Sequence, residues 1–331
     1  MYEIKKQKNK NSNIIKYHEK IFKRKIYFVF LLSITLLLLY LYYPNIITIS
    51  HTKSFDSVFE SPKVSISICL CVIAKKENLY AKEYVNHYKK LGYNHIYIYD
   101  NNDINDEKFE DVIQDEIDWG FVTIINIRGK IKGQCYAYKD CYEKYNKLYD
   151  WLSFLDFDEF LSLKEKNIQK FLTSKRYDHC VTIKINFLFY SDNELLYYDN
   201  RTLQERFIKA LYRHPSNRWL KVTARGGLKT NYWSVKYTPH TSHSNYPSCN
   251  SAGNRMSSGS RAKKPNFTYA ALKHYYTKPV EEYFIKSSRG SAFANVHWTP
   301  GRKRFKFKLY FYYNKKTKAK VKLLKKMFNM T

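Results

Sequence analysis

Residues 151–160 read WLSFLDFDEF, an apolar run that leads directly into two carboxylates, Asp156 and Asp158, spaced i and i+2, with Glu159 beside them. Two hard oxygen ligands with open coordination positions suit magnesium or manganese bound to a diphosphate, where the metal neutralises a departing negative charge. A bare pair of this kind occurs often by chance, and a solvated acidic turn gives the same letters. Position decides between the two. At the carboxyl end of a strand in an open α/β sheet the side chains project into the ligand crevice.

The preceding residues read as such a sheet. The run ISICLCVI at 66–73 is continuously apolar and rich in β-branched residues, as in a strand buried on both faces. Asn78 is placed to cap a helix in which Tyr80, Tyr84, Val85, Tyr88 and Leu91 recur at helical spacing until Gly92 stops it. HIYIY at 95–99 is a second strand ending in Asp100, Asn101, Asn102 and Asp103. A helix is expected over 107–118, a strand over 121–127, a helix over 134–149 and a strand over 151–155. Strands alternating with helices predict an α/β domain with a doubly wound, mainly parallel sheet. A further strand is expected at 180–190, and 241–268, rich in Ser, Asn and Pro, reads as a long functional loop. No glycine-rich fingerprint follows the first strand, which counts against a dinucleotide or ATP site and leaves a nucleotide-sugar site.

The domain is expected to be tethered. Ile26 to Tyr43 carry no charge, and as a helix they would reach about 27 Å, close to one bilayer span. Pro44 and bulky Tyr42 and Tyr43 occupy the place where a cleaved signal peptide has small residues. Residues 1–25 hold nine Lys or Arg against Glu3 and Glu19, so this tail is expected to stay cytosolic. The expected order is a cytosolic tail at 1–25, one transmembrane helix at 26–43, a stem at 44–63, a catalytic domain at 64–300 and a basic tail at 301–331. The domain then lies in the lumen of the Golgi or another secretory compartment, in type II orientation. Sequons at Asn200, Asn266 and Asn329 would be open to glycosylation there.

The net charge of +29 invites a nucleic-acid reading, and twelve positive charges without an acid lie between Arg302 and Thr331. A translocated domain meets little nucleic acid, so no such partner is expected. The basic end reads as a solvated tail or a contact for anionic headgroups. Chain length and an apolar share of 44% permit a full core without disulfides. Of the six cysteines, Cys69 and Cys71 read as buried core on one strand face. Cys135 and Cys141 are open to pairing with each other, or either with Cys180 or Cys249.

The ordered series AKKENLYAKEYVNHYKKLGYNHIYIYDNN, QCYAYKDCYEKY, WLSFLDFDEF, LQERF and HYYTKPVEEYFIKSSRG resembles glycosyltransferase family 92 and the related family-2-like transferases of the A-type fold. It covers most of residues 66–290. Pro279 stands where the family tends to have a small polar residue, and NFLFYSDN matches its acceptor-side loop loosely. The resemblance implies an inverting, metal-dependent transfer of a sugar, commonly galactose from UDP-galactose, to a glycan acceptor, with manganese or magnesium at the carboxylate motif. By position it implies that Lys76, Glu77, Asp100 and Asn101 line the nucleotide pocket and that Gln134 and Asp140 lie under the donor. Asp156 and Asp158 would hold the metal, with His240 or His243 completing its shell. His274, Lys278, Lys286 and Arg289 would stabilise the departing diphosphate.

Inversion needs a general base at the acceptor hydroxyl. From Arg206 to Val280 there is no Asp or Glu, and none follows Glu282. A carboxylate base beyond the metal motif therefore comes from Asp192, Glu194, Asp199, Glu205, Glu281 or Glu282, of which Glu281 or Glu282 are preferred. The competing reading is a catalytically inactive, membrane-tethered carbohydrate- or polyanion-binding protein.

Overall fold

The apolar run at 66–73 becomes the strand around which everything else is arranged. A computed structural model describes residues 65–131, 133–228, 238–241, 245–289 and 299–330. The proposed anchor at 26–43, its flanks at 1–25 and 44–63, and His243 lie outside the described residues. Among the described residues no helix is long and apolar enough to cross a membrane.

The chain runs through β1 (Ile68–Ala74), α1 (Asn78–Leu91), β2 (His95–Asp100), α2 (Glu110–Asp118), β3 (Val122–Asn126), α3 (Gly133–Tyr145) and β4 (Trp151–Asp156). These four strands pair in parallel in the order β3-β2-β1-β4. Every residue of β1 is buried. Ile68, Leu70, Val72 and Ala74 face one apolar cluster with Tyr80, Tyr84, Val85 and Tyr88 of α1, while Cys69, Cys71 and Ile73 face another with Ala137, Tyr138 and Tyr142 of α3. The period of two sends alternate side chains to opposite faces, so a strand covered on both has to be apolar throughout. Gly92 ends α1 with φ of 90°, a left-handed conformation that a glycine adopts without a Cβ clash. Asn78 is the first helical residue rather than the cap, which is Glu77, and its amide donates to the Lys108 carbonyl at 2.6 Å.

Beyond β4 the sheet departs from the expected parallel plan. The chain continues through β5 (Glu159–Leu163), α4 (Ile168–Leu172), β6 (Thr182–Phe189), α5 (Leu203–Arg206), β7 (Leu220–Arg225), β8 (Ser248–Asn250), β9 (Arg255–Met256) and β10 (Ala270–His274). β7 inserts antiparallel between β4 and β6, and β10 pairs parallel to β6 but antiparallel to β5. The result is a mixed α/β domain, parallel on one side of β4 and mixed on the other. The expected loop at 241–268 carries the short strands β8 and β9.

α6 (Val280–Ser288), α7 (Pro300–Tyr313) and α8 (Lys318–Met327) close the chain. The stretch expected as a solvated basic tail is thus part of the folded domain. Tyr310, Leu324 and Phe328 pack with Val280 and Tyr283 in a third apolar cluster. Beneath it Asp192 accepts from Tyr310 Oη at 2.6 Å and pairs with Lys320 at 2.6 Å, both members nearly inaccessible to solvent. Charge count read the segment as solvated, whereas its apolar stripe and one buried ion pair dock it.

The cysteines pair as Cys71–Cys141 and Cys180–Cys249, leaving Cys69 and Cys135 free. Cys135 and Cys141 both lie on α3, where six residues at 100° each place them on different sides of the helix. Cys141 faces β1 and meets Cys71, which the strand pattern read as simple core.

Candidate active site

The carboxyl ends of β1, β2 and β4 open into a cavity of about 520 Å³. Its floor carries Ile73 and Ala74 from β1, Asn101 just past β2, and Asp156 to Glu159 across the turn from β4 into β5. This is where the order of a doubly wound sheet reverses, with β2 and β4 on opposite sides of β1, and ligands collect at such points.

The acidic turn divides its tasks. Asp156 Oδ1 accepts from Gln134 Nε2 and Tyr138 Oη, each at 2.9 Å, and Oδ2 pairs with Lys221 Nζ at 2.8 Å. Lys221, on β7, is fully buried and also lies 3.4 Å from Glu159 Oε2. Burial, the largest single influence, acts to raise the Asp156 carboxyl, but the charge and hydrogen bond of Lys221 together with His240 hold the group below the ordinary carboxylate range. Glu159 shifts the other way: burial, with Asp156 and Asp158 adding like charge, raises it well above its usual value. Asp158 meets Lys286 Nζ and lies 3.5 Å from His274 Nε2. Burial opposes ionisation there too, yet Lys286 and His274 bring it well below the ordinary range.

Asp158, Glu159 and His274 offer ligand atoms that all lie within 4.8 Å of one another. Carboxylate oxygens with one imidazole suit manganese or magnesium. Glu159 Oε1 and His274 Nδ1 are buried without a hydrogen-bond partner among the described residues. The residues present therefore fit a divalent cation. Asp156, expected as the second metal ligand, is not among these three; its oxygens are engaged by Gln134, Tyr138 and Lys221. A second group, His179 with Cys180 and Cys249, offers no thiolates, since the two sulfurs are bonded to each other.

His240 lines the cavity, and its Nδ1 is 2.8 Å from the Leu220 carbonyl. A carbonyl only accepts, so Nδ1 carries the proton and Nε2 keeps its lone pair. Burial, with Lys221 adding, lowers the ring to about 4 and keeps it neutral. Ligating histidines are commonly oriented by such a bond from the other ring nitrogen.

Of the remaining expected residues, Glu77, Asn101, Gln134, His274, Lys286 and Arg289 line the cavity. Arg289 pairs with Glu77 at 2.8 Å and donates to the Lys75 and Lys76 carbonyls, which ties the end of α6 to the end of β1. Others are directed elsewhere. Asp100 is held by Arg128 at 2.7 Å, and Arg128 in turn donates to the carbonyls of Asp103, Asp106 and Glu107, so this ion pair organises the β2–α2 loop. Lys76 pairs with Asp106, and Asp140 with Lys144 and the Tyr99 hydroxyl. Lys278 is buried over the Tyr80 ring, 3.5 Å from its centroid, and burial lowers it to about 8.

The preferred bases are also outside the cavity lining. Glu282 takes both Arg206 Nη1 contacts, at 2.7 and 3.0 Å, and the Tyr80 hydroxyl, in a fully buried cluster. Glu281 accepts the Tyr198 backbone N–H at 2.9 Å. Helix α6 points its first-turn acids at α5 and at the loop after β6 and sends only its later residues to the site. Sequence reasoning missed Lys221, Lys306 and the aromatic wall of Phe187, Phe189, Trp219, Tyr276 and Tyr313. The alternation of Leu220, Val222 and Ala224 signals a strand but gives no sign that Lys221 is buried.

Acids, cations and aromatic rings that converge at the topological switch point of a mixed α/β domain are the arrangement of an enzyme's ligand site. The chain belongs to glycosyltransferase family 92, whose model matches residues 64–287. A glycosyltransferase family 92 protein of Ricinus communis is 29% identical over 96 residues, which span 29% of this chain and 17% of that relative. Among solved structures, S. aureus TarS in complex with UDP-GlcNAc is similar at 9% identity, with 80% of this chain and 72% of that chain covered and a TM-score of 0.37. The mannosyltransferase PcManGT from Pyrobaculum calidifontis, in complex with GDP-Man and Mn2+, is similar at 12% identity, with 83% and 76% covered and a TM-score of 0.34.

Proposed function

We propose that this protein transfers a sugar, with inversion and with a divalent cation, from a UDP-sugar to a glycan hydroxyl. Galactose is the sugar that the family resemblance suggests. The observation that carries the reading is the meeting of Asp158, Glu159 and His274 with Lys286 and Arg289 in one cavity at the strand ends. A cation at the first three residues would supply charge neutralisation to a diphosphate leaving group. Lys286, which meets Asp158, and Arg289 line the same cavity and would be donors to phosphate oxygens. Phe187, Phe189, Trp219, Tyr276 and Tyr313 offer flat apolar faces for sugar rings. Among the described residues, the groups that line the cavity outside that cation cluster and can take the acceptor's proton are Glu77, Asp156 and His240, whereas Glu281 and Glu282 are turned to Tyr198 and Arg206.

Transfer and donor hydrolysis measured over a panel of nucleotide sugars test this directly. Activity is expected with a uridine diphosphate sugar, to be lost in chelator and restored by manganese. Full activity in chelator would remove the metal, and nucleotide binding without turnover on any acceptor would identify a binding protein instead.

A lumenal position, with residues 26–43 as the anchor, completes the proposal. Two disulfides, each closing a loop of about 70 residues, support an oxidising compartment. Asn200 is exposed within its sequon. Expression in a eukaryotic cell should attach a glycan there, seen as a mass shift removed by Asn200→Gln; an unglycosylated Asn200 together with protease-sensitive domains in sealed vesicles would place the domain on the cytosolic side.

A further inference from the structure

The family match ends at residue 287, yet α7 reaches the cavity with Lys306 and Tyr313. The other cations of this wall are matched to acids: Lys286 to Asp158 and Arg289 to Glu77. Lys306 makes no ion pair among the described residues. Of the acids that line the same cavity, Glu77 is paired with Arg289, Asp156 with Lys221 and Asp158 with Lys286, and the later acids Glu281 and Glu282 are committed to Tyr198 and Arg206. Burial lowers its ammonium to about 8, with Lys286, Arg302 and Arg289 adding like charge, so these cations crowd one space. Its position is fixed by the helix that bears Lys286, since the Tyr283 hydroxyl donates to the Lys306 carbonyl at 2.9 Å. Lys308, one turn face away, is exposed. A half-buried cation that faces a cavity with no ion-pair partner of its own among the described residues is placed to receive an anion.

We propose that Lys306 is a phosphate-binding residue of the active site, reaching from α7 to the diphosphate of a bound nucleotide. This rests on the reading of the cavity as a nucleotide-sugar site, and it makes the C-terminal helices part of that site rather than an accessory. The anion it recognises is a diphosphate, in which two adjacent phosphates can engage Lys286, Arg289 and Lys306 together.

Calorimetric titration of the full chain with inorganic pyrophosphate, and separately with UDP, tests the assignment without depending on turnover. Lys306→Met keeps the aliphatic stem and removes the charge. It is expected to weaken pyrophosphate and UDP by about tenfold or more, the range for losing a charged hydrogen bond. Lys306→Arg should retain most of the affinity, and Lys308→Met all of it. Lys306→Gln serves as the neutral variant if the methionine form melts early. Wild-type affinity in the folded neutral variants overturns the role of Lys306 while leaving the proposed function standing. A wild-type chain that binds neither pyrophosphate nor UDP overturns both.

Discussion

Asp158→Ala is expected to abolish sugar transfer while leaving the domain folded. The carboxylate is the point at which the proposed metal-binding cluster and the cationic side chains meet, through His274 on one side and Lys286 on the other. Removing one preorganised electrostatic contact in a water-poor site lowers rates by about 10² to 10³-fold, roughly 3 to 4 kcal/mol. Here the loss should be at least that large, because the substitution removes a proposed cation ligand and frees a lysine at once. The fold should survive because β4 is held by Trp151, Leu152, Phe154 and Leu155, all essentially inaccessible to solvent, and because the bond from Tyr275 N–H ends on the Asp158 backbone carbonyl. Asp158→Asn, which keeps shape and some hydrogen bonding, should be nearly as inactive. The measurements are transfer or donor hydrolysis and a melting curve for each variant. Activity within tenfold of wild type in a folded Asp158→Ala protein would reduce the DFDEF turn to an acidic turn of no catalytic consequence.

Lys221→Met should have the largest effect on stability. Lys221 sits fully buried between Asp156 and Glu159, two carboxylates that also approach Asp158. Methionine fills similar space, so packing changes little, but the substitution leaves the half-buried Asp156 carboxylate without its counter-ion, beside the buried carboxyl of Glu159. Breaking a buried pair from one side costs about 3 to 5 kcal/mol. A second change, Asp156→Asn, removes one of the orphaned charges and should recover a substantial part of that loss, which a double-mutant cycle in denaturant reads out. A single variant less than 1 kcal/mol below wild type would show that solvent or rearrangement relieves the carboxylates, and that the ion pair does not hold the acidic turn in place. The same variant tests a functional point. Asp156 is set in its orientation by Lys221, Gln134 and Tyr138 together, so loss of the lysine should loosen the turn that presents Asp158.

The C-terminal helices change how the strongly basic charge is understood. Positive charge in the second half of the chain is not simply spread over a surface: Lys320 lies beneath the helices on Asp192, Lys286 and Arg289 are in the cavity wall, and Lys306 faces the cavity itself. The helices are held by buried aromatic packing and by Asn314, whose side chain accepts the Asp192 N–H and donates to Thr277. Shape and charge of the site therefore depend also on residues beyond 64–287, the span that the family model matches.

Features encoded locally were legible in the sequence. An apolar run at 66–73, interrupted by Ser67 alone, states that β1 is covered on both faces; tyrosines at helical spacing followed by glycine state where α1 lies and where it ends; an apolar run meeting two acids states that Asp156 and Asp158 stand at a strand end. Each depends on the period of one element or on the conformation of one residue, and neighbouring letters carry that information. Tertiary structure decided which of those acids joins His274 and which is given to Lys221. It also decided that Glu281 and Glu282 face away from the cavity, that Cys141 meets Cys71, that β7 enters the sheet antiparallel, and that a basic terminal stretch folds onto the domain. In every one of these cases the outcome turns on groups distant in the chain, where burial and the choice of a counter-charge set the energy, and neither has a local signature.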